Sequence, residues 1–420
     1  MHTGRGSALH TGIIADDLTS AADGGAPFAQ AGHRVVVSLD LGAALTERDT
    51  DVAALDLDSR ARGEEEAAAL AAEAGRRLKG VSQLYKTMDS TLRGHVGVEV
   101  AAVLLASGRR TALVAPAFPA AGRVTLGGVQ RVDGVPVHRT AFAQDPRHAV
   151  SESRVARLFD GACPGEVVEL TETEMRDPSR VRHALAAARV VVADAATDAD
   201  LDALVAGAWN CDGLLWVGSP GIAHALARAC PTQRATVWAN EPRACRPLVL
   251  VGSLHPASRA QAMVLAQDAG MQAVQLDPAR AGSAFWKPEI ERACSACRQV
   301  ARSGGPILLQ SAATAGPDAS GLVASALANV VQRLVAEGTV DGLVATGGDT
   351  ALAVVRALGA SGLRLWHELE PGVPIGALVG PYPLPVITKA GGFGDAGTLV
   401  RLCGALRGSV LPASEERLYS

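Results

Sequence analysis

Short apolar runs alternate with helical stretches from Gly12 to the last residues of the chain, and this alternation limits the fold more than any other feature. The runs are too short to be helices, and stretches such as Glu64–Lys79 and Asp198–Ala208 have helical composition. Strands that alternate with helices in this way form parallel sheets covered by helices. The sequence therefore predicts an α/β fold.

Length and local composition predict two domains. The chain has 420 residues, more than one ordinary hydrophobic core accommodates. The stretch Pro231–Arg246 lacks periodicity and contains two prolines, so we expect an N-terminal domain over residues 1–235 and a C-terminal domain over residues 246–420. Each is expected to be a mostly parallel sheet flanked by helices, with a cleft between them. Because aromatic residues make up only 3% of the chain, Ala, Val and Leu must build the cores.

Charge and hydropathy make two classes of partner unexpected. The formal net charge is −4 and no dense Lys/Arg cluster is present, so we expect no nucleic-acid partner. No apolar run approaches the length of a membrane span, so we expect no membrane partner and a cytoplasmic location. Cys294 and Cys297 form a C-x-x-C inside a predicted helix, without a second pair at zinc spacing, and are expected to be core residues.

The stretch K-T-M-D-S-T-L-R-G carries the densest set of polar groups in the first domain. It lies between a predicted strand, Val81–Lys86, and a predicted helix, Val96–Ala106, where open α/β sheets bind ligands. Asp89, Ser90 and Arg93, with the N–H groups of a helix start, can hold a small polyhydroxylated anion. The simpler alternative is that Asp89 or Ser90 caps the helix and that Arg93 pairs with a nearby acid.

Other predicted strands of this domain also end in charged groups. Asp16 and Asp17 follow the first strand, where one acid can serve as a base for an acceptor hydroxyl and the other can bind a cation or a hydroxyl. Arg60 is available for a substrate carboxylate, and Arg123 is a further cationic candidate. Helix capping by the acids and a surface position for Arg60 are the alternatives. Together with Lys86, these residues predict a small acidic ligand that bears hydroxyl groups.

The segment V-Q-R-V-D-G-V-P-V has a different pattern. Asp133 and Gly134 separate two stretches of alternating apolar residues, which is a strong hairpin signal. This hairpin is expected to project from the first domain, over its site or into a homodimer contact.

The second domain carries glycines at its predicted strand ends. Gly347, Gly348, Asp349 and Thr350 belong to T-G-G-D-T, Gly391 and Gly392 belong to K-A-G-G-F-G, and Ser253 ends V-G-S. Glycines before a helix let the backbone approach a phosphate, so these residues are expected to bind a nucleotide, although glycine is also common in tight turns. Neither a P-loop nor a G-x-G-x-x-G behind the first strand is present.

Six stretches of the chain resemble, in the same order, the motifs of the four-carbon acid sugar kinase family. They are A-D-D-L-T-S-A-A-D, Y-K-T-M-D-S-T-L-R-G, P-A-F-P-A-A-G-R, V-G-S-L-H-P-A-S-R-A-Q, A-T-G-G-D-T and K-A-G-G-F-G. The resemblance covers nearly the whole chain. It implies that the N-terminal domain binds a four-carbon sugar acid through Asp17, Arg60 and the Lys86–Arg93 turn. It also implies that Ser253, Gly347–Thr350 and Gly391 bind ATP and that the terminal hydroxyl is phosphorylated.

The form D-S-T-L-R-G resembles family members acting on D-threonate or D-erythronate more than 3-oxo-tetronate kinases. The sequence departs from the family pattern at Ser20, where Gly is usual, and at His255, where Ser is frequent. Ala390 and Gly392 replace a Ser and an Asn, which reduces side-chain contacts to the phosphates.

Two carboxylates remain candidates for the catalytic base. We expect Arg60, Lys86 and Arg93 to hold the acid, Asp17 or Asp89 to accept the proton, and Mg²⁺ with the glycine turns to balance the phosphoryl charge. The alternatives are a dinucleotide-dependent enzyme acting on a hydroxy acid and a non-catalytic sugar-acid sensor.

Overall fold

The computed structural model describes residues 9–41, 50–145, 148–232, 243–268, 271, 273–312 and 320–408. These residues form two compact units. The N-terminal unit contains the described residues up to Thr232 together with Ser361–Pro374, and the C-terminal unit contains the remainder. Most of the predicted boundary stretch Pro231–Arg246 lies outside the described residues.

The strands of the N-terminal unit are β1 Thr11–Ala15, β2 Val35–Ser38, β3 Val52–Asp56, β4 Gln83–Thr87, β5 Thr111–Ala115, β6 Arg123–Leu126, β7 Val129–Val132, β8 Val135–Pro136, β9 Val167–Leu170, β10 Val190–Ala193, β11 Leu214–Gly218 and, from the later part of the chain, β16 Gly362–Glu370. Its helices are α1 Leu18–Gln30, α2 Glu64–Arg77, α3 Val96–Ser107, α4 Glu172–Met175, α5 Pro178–Ala187, α6 Asp198–Ala208 and α7 Pro220–Ala229.

The main sheet of this unit has the strand order β16-β2-β3-β1-β4-β11-β5-β10-β9. All neighbours from β2 to β9 pair in parallel. The predicted α/β class is therefore confirmed. Parallel strands place their carboxyl ends at one edge, so the segments after β1, β3 and β4 lie side by side there.

The strand β16 comes from a part of the sequence that the predicted division gives to the C-terminal domain. It pairs antiparallel with β2, with Leu363 opposite Val37, and thereby extends the N-terminal sheet. Its contacts assign Ser361–Pro374 to the N-terminal unit.

A separate three-stranded sheet, β6-β7-β8, contains the predicted hairpin. Val132 pairs with Val135, and Asp133 and Gly134 have φ values of 48° and 80°. Two positive φ values in a two-residue loop are typical of the type I′ turn, so the hairpin prediction is confirmed.

The helices α2 and α3 cover one face of the main sheet. Helix α2 has three glutamates in its first turn and Arg76 and Arg77 in its last, an arrangement that complements the helix dipole. Its buried face consists of alanines at helical spacing, and Gly75 lets it approach α3, since a Cβ there would lie 3.3 Å from the Val103 backbone. The core between these helices and the sheet is aliphatic, as the composition predicts.

The strands of the C-terminal unit are β12 Pro247–Val251, β13 Ala273–Leu276, β14 Ile307–Ser311, β15 Gly342–Thr346, β18 Pro385–Lys389 and, from Ile375 onward, β17 Val373–Val379. Its helices are α8 Pro256–Asp268, α9 Trp286–Arg302, α10 Ser320–Ala336, α11 Gly348–Ala357 and α12 Thr398–Leu406. Its sheet has the order β13-β14-β12-β15-β18-β17, parallel except for β17. Cys294 and Cys297 are buried in α9, as expected. Among the described residues, no helix has the length and apolarity needed to cross a membrane.

Candidate functional site

Arg60 lies at the centre of a buried charged group at the carboxyl edge of the N-terminal sheet. Its Nε and Nη2 atoms donate to both oxygens of Asp16 at 2.7 and 2.8 Å, and Nη1 donates to Asp17 at 2.5 Å. The Ser20 hydroxyl accepts from Nη2 at 2.9 Å, and Asp89 lies 3.5 Å from Nη1. The structure thus brings together side chains that follow β1, β3 and β4.

These contacts set the charge state of the group. Burial alone would lower the pKa of Arg60, but the charges of Asp16, Asp17 and Asp89 raise it well above its ordinary value. Burial alone would raise the pKa of Asp16, but the charges of Arg60 and Lys86 leave it lowered. The Arg60–Asp16 pair therefore stays ionised.

Asp17 both caps α1 and belongs to this group. Its carboxylate accepts from the Ser20 N–H at 2.7 Å and from the Thr19 hydroxyl at 3.0 and 3.1 Å. The capping alternative is therefore correct for Asp17, and the bond to Arg60 adds to it. Its side chain is 17% exposed, against 4% for Asp16 and 8% for Asp89, so Asp17 is the most accessible of the three carboxylates.

Asp89 organises the turn between β4 and α3. One of its oxygens accepts from the Thr91 N–H at 2.7 Å, and the other accepts from Arg93 Nε and Nη2 at 3.1 and 2.5 Å. Burial would raise the pKa of Asp89, but Arg93 and Arg60 lower it well below its usual range. The N-cap of α3 is His95, so Asp89 does not cap the helix, whereas the predicted pairing of Arg93 with a nearby acid is observed.

Gly94 explains how this turn packs against the end of β1. Its φ is 93°, and a Cβ there would lie 2.7 Å from Asp16 Oδ2. Only glycine combines this backbone conformation with this approach. Arg93 lies over the Phe142 ring at 5.4 Å and 3.5 Å from Asp145, and its side chain remains 22% exposed.

The remaining predicted residues of this unit lie around the group. Ser90 is buried, and its carbonyl accepts from Gln130 Nε2 at 2.7 Å. Arg123 is buried close enough for the charge of Asp89 to act on it, although burial leaves its pKa lowered. Lys86 is buried and pairs with Glu99, with its Nζ 2.9 Å from Glu99 Oε2, and its charge acts on Asp16.

In the C-terminal unit the three predicted glycine segments lie together. Val251, Thr346 and Lys389 are neighbours in register on β12, β15 and β18, so the segments that follow them share one edge. A Cβ at Gly347 would lie 3.4 Å from Ser253, and one at Gly391 would collide with the Ser253 hydroxyl.

The N-terminus of α11 adds backbone donors to this edge. Gly347 has a φ of 96° and forms the N-cap without a side-chain bond, and Gly348, Asp349 and Thr350 form the first turn. A Cβ at Gly252 would collide with Thr350, so a third glycine is required here. Such a glycine-lined helix start fits the phosphates of a nucleotide.

Ala390 and His255, at which the sequence departs from the family pattern, lie at the same edge of the C-terminal sheet. The buried Lys389 donates to the carbonyls of Ala390 and Phe393 at 2.9 and 3.0 Å, which folds the K-A-G-G-F-G loop around the ammonium group. The His255 N–H donates to the Ser253 hydroxyl at 3.2 Å, and its Nδ1 accepts from the Ala257 N–H.

Several buried polar residues near these groups are not predicted from the sequence. Glu99 interrupts an otherwise apolar helix, a signal that could have indicated a buried ion pair. Asp23, on the face of α1 that also carries Thr19 and Ser20, has a pKa raised by burial and then by the charge of Asp17. Asp56 ends β3 and has a pKa raised by burial to about 8.

Comparison with known proteins gives each part of the chain its own domain model. A family model described as a sugar-binding N-terminal domain matches residues 11–226, and one described as a nucleotide-binding C-terminal domain matches residues 248–399. A crystal structure from Salmonella typhimurium LT2 superposes with a TM-score of 0.78 at 24% identity, covering 94% of this chain and 98% of that one. At that identity the likeness shows the fold alone.

Curated relatives align over almost their entire lengths. A D-threonate kinase of Bordetella bronchiseptica is 39% identical, covering 95% of this chain and 98% of the relative. A D-threonate kinase of Cupriavidus necator is 36% identical, with 96% and 99% covered. A D-erythronate kinase of Heliobacterium modesticaldum is 33% identical, with 91% and 94% covered. With both domain models matched and these relatives aligned end to end, the chain belongs to the four-carbon acid sugar kinase family.

Proposed function

We propose that this protein transfers the γ-phosphoryl group of ATP to the terminal hydroxyl of a four-carbon sugar acid, with D-threonate as the preferred acceptor. The observation that carries the proposal is the group of Arg60, Asp16, Asp17, Asp89 and Arg93 in a unit that matches a sugar-binding domain. Guanidinium groups suit a carboxylate, and ionised carboxylates accept from hydroxyl groups. Relatives named D-threonate kinase, at 33% to 39% identity, support the choice of acceptor.

Arg93 is the side chain we assign to the substrate carboxylate. Asp89 binds its Nε and Nη2 atoms, and its Nη1 atom lies 3.5 Å from Asp145 Oδ2. Arg93 pairs with Asp89 and Asp145 and is 22% exposed, whereas Arg60 pairs with Asp16, Asp17 and Asp89 and is 10% exposed. Arg60 therefore organises the site, and Arg93 receives the acid.

Asp17 is the better of the two candidate bases. A general base should have a pKa near the working pH, and the lowered pKa of Asp89 makes that carboxylate a weak proton acceptor. Asp17 is held in one orientation by Ser20, Thr19 and Arg60 and is the more accessible carboxylate. It can accept the proton of the attacking hydroxyl while Arg60 stabilises its position.

The nucleotide is assigned to the C-terminal unit. Ser253, Gly391 and the Gly347–Thr350 segment would hold its phosphates through backbone N–H groups and a hydroxyl, because glycines at a helix start let the backbone approach a phosphate. ATP supplies the phosphoryl group. Mg²⁺ would accompany the nucleotide, since this ion keeps much of its water and binds phosphate oxygens.

A cytoplasmic location follows from the proposed reaction. A kinase that uses ATP fits the cytoplasm, where that nucleotide is supplied.

A homodimer contact at the β6-β7-β8 sheet stays a prediction, supported by Val135, which is 43% exposed on β8. Elution volume in gel filtration with a Val135→Asp comparison tests it, and a monomeric wild type would contradict it.

The reaction is tested by product identification. The protein is incubated with ATP, Mg²⁺ and D-threonate, and the acid is analysed by mass spectrometry and phosphorus NMR. The proposal predicts a monophosphate on the terminal carbon. An unmodified acid in the presence of bound ATP would contradict it.

A further inference from the structure

Glu99 is a buried carboxylate in α3 that joins two strand ends of the N-terminal unit. Its Oε2 lies 2.9 Å from Lys86 Nζ, on β4, and its Oε1 accepts from the Ser59 hydroxyl, beyond β3, at 2.5 Å. The side chains of Lys86 and Glu99 are 2% and 1% exposed, and Ser59 is fully buried. A single carboxylate thus binds both turns that carry the proposed acid-binding residues.

The turn held through Ser59 is the one that presents Arg60. The Ser59 and Arg60 N–H groups both donate to the Asp16 carbonyl, at 2.9 and 3.2 Å. Asp58, immediately before them, has a φ of 47°, a conformation that is costly for a residue with a side chain. The position of Arg60 therefore depends on bonds that outweigh this cost, and the Ser59–Glu99 bond is one of them, beside the bonds of the Arg60 guanidinium group to Asp16 and Asp17.

The other turn is held through Lys86. Its Nζ also donates to the Thr87 carbonyl at 2.8 Å, which fixes the last residue of β4 just before the turn that contains Asp89. Lys86 lies between the core residues Leu84 and Met88 in sequence on the buried end of β4, and its ammonium group bonds to Glu99 in α3. The charge of Lys86 also acts on Asp16.

We infer that Glu99 is a positioning residue for the acid-binding site, setting the Ser59–Arg60 turn and the end of β4 relative to each other. The inference rests on the proposed function, because it is the sugar acid that needs both turns in register. A buried Lys–Glu pair adds little to stability compared with apolar residues of the same volume. What the pair provides here is an acceptor for Ser59 that is fixed by its bond to Lys86 on β4.

The variant Ser59→Ala removes the link to Arg60 while leaving the Lys86–Glu99 pair intact. We expect the KM for the sugar acid to rise about tenfold, as for the loss of a bond to a charged group, with the KM for ATP unchanged. A purely structural role for Ser59 would lower the melting temperature without separating the two KM values. The matched control is Ser107→Ala in the same helix as Glu99, since the buried Ser107 hydroxyl donates only to the Val103 carbonyl, at 2.7 Å.

A second variant tests the inference independently of Ser59→Ala. In the double variant Lys86→Met with Glu99→Leu, the core keeps its volume and no buried charge is left unpaired, so the protein should fold. Ser59 then has no acceptor, and the KM for the sugar acid should rise as in Ser59→Ala. A wild type that turns over the acid, together with unchanged KM values in both variants, would overturn the inference alone. A wild type without turnover on any four-carbon acid would overturn the proposed function itself.

Discussion

Arg60 and Asp16 form a bidentate ion pair, with both carboxylate oxygens of Asp16 bound at 2.7 and 2.8 Å, and both side chains are almost completely buried. A buried pair of this kind cannot lose one partner without leaving an uncompensated charge. The pair also directs the remaining Nη1 atom of Arg60 toward Asp17. The geometry of the proposed base therefore depends on Arg60.

Replacing Arg60 should damage both stability and activity. We expect Arg60→Ala to lose about 3–5 kcal/mol in the free energy of unfolding, because Asp16 would remain buried without its cation. Turnover should fall by more than a hundredfold, a loss of roughly 3 kcal/mol in transition-state stabilisation. Urea unfolding and steady-state kinetics measure the two effects. In the control Arg76→Ala, on the surface of α2, the free energy should change by about 0.5 kcal/mol or less. Equal effects in both variants would contradict the role of Arg60.

Asp17→Asn tests the assignment of the base. Asparagine caps helices as well as aspartate does, so α1 should remain intact. The variant should lose turnover by roughly a hundred- to ten-thousandfold, the usual contribution of a general base, and should bind ATP normally. The matched variant Asp89→Asn should act mainly through the KM for the acid, because Asp89 orients Arg93. Unchanged turnover in Asp17→Asn would remove Asp17 as the base.

The raised pKa of Asp56 should make part of the free energy of unfolding depend on pH. Burial raises its pKa to about 8 from an ordinary 3.8, and its buried Oδ2 has no hydrogen-bond partner among the described residues. At pH values between these two pKa values, the folded protein keeps a proton that the unfolded chain releases. The contribution of Asp56 to the free energy of unfolding is therefore complete at low pH and is lost as the pH rises. The slope is at most about 1.4 kcal/mol per pH unit.

The variant Asp56→Asn removes this titration. It should gain stability relative to the wild type as pH is raised from about 5 to about 7.5, since an amide has no proton to lose over that range. Urea unfolding at the two pH values measures the difference. A stability difference that is the same at both would show that Asp56 titrates normally.

Gly391→Ala should weaken nucleotide binding selectively. A Cβ at this position runs into the Ser253 hydroxyl, so the two segments proposed to hold the phosphates must separate. We expect the dissociation constant for ATP to rise at least about tenfold, as when a good hydrogen bond is lost, while the binding of the sugar acid is unchanged. Gly305→Ala is the matched control, because a Cβ there meets nothing within 4 Å. Isothermal titration measures both ligands, and equal ATP affinity in the two variants would contradict the assignment.

The strand-end side chains of the N-terminal unit could be predicted because parallel strands gather their carboxyl ends at one edge. Asp16, Asp17 and Arg60 come from separate stretches of sequence, and the structure places them in one group, as expected for strand ends that share an edge. The direction of Lys86 could not be predicted in the same way. Its strand is buried on both faces, so alternation of apolar and polar residues does not reveal which face Lys86 occupies.

The pairing of strands that are distant in sequence could not be predicted either. The strand β16 has apolar residues that suit either unit, and only its pairing with β2 assigns it to the N-terminal sheet. The hairpin at Asp133 was easier to predict, because a two-residue turn is specified by its own residues.

The rate of ADP release from ATP and Mg²⁺ across D-threonate, D-erythronate, L-threonate and 3-oxo-tetronate tests the central claim most directly. The proposed site predicts turnover of at least one of these acids far above the rate without acceptor, with the largest kcat/KM for D-threonate. ATP binding with no acceptor-dependent ADP release from any of the four would contradict the assignment of this protein as a four-carbon sugar acid kinase.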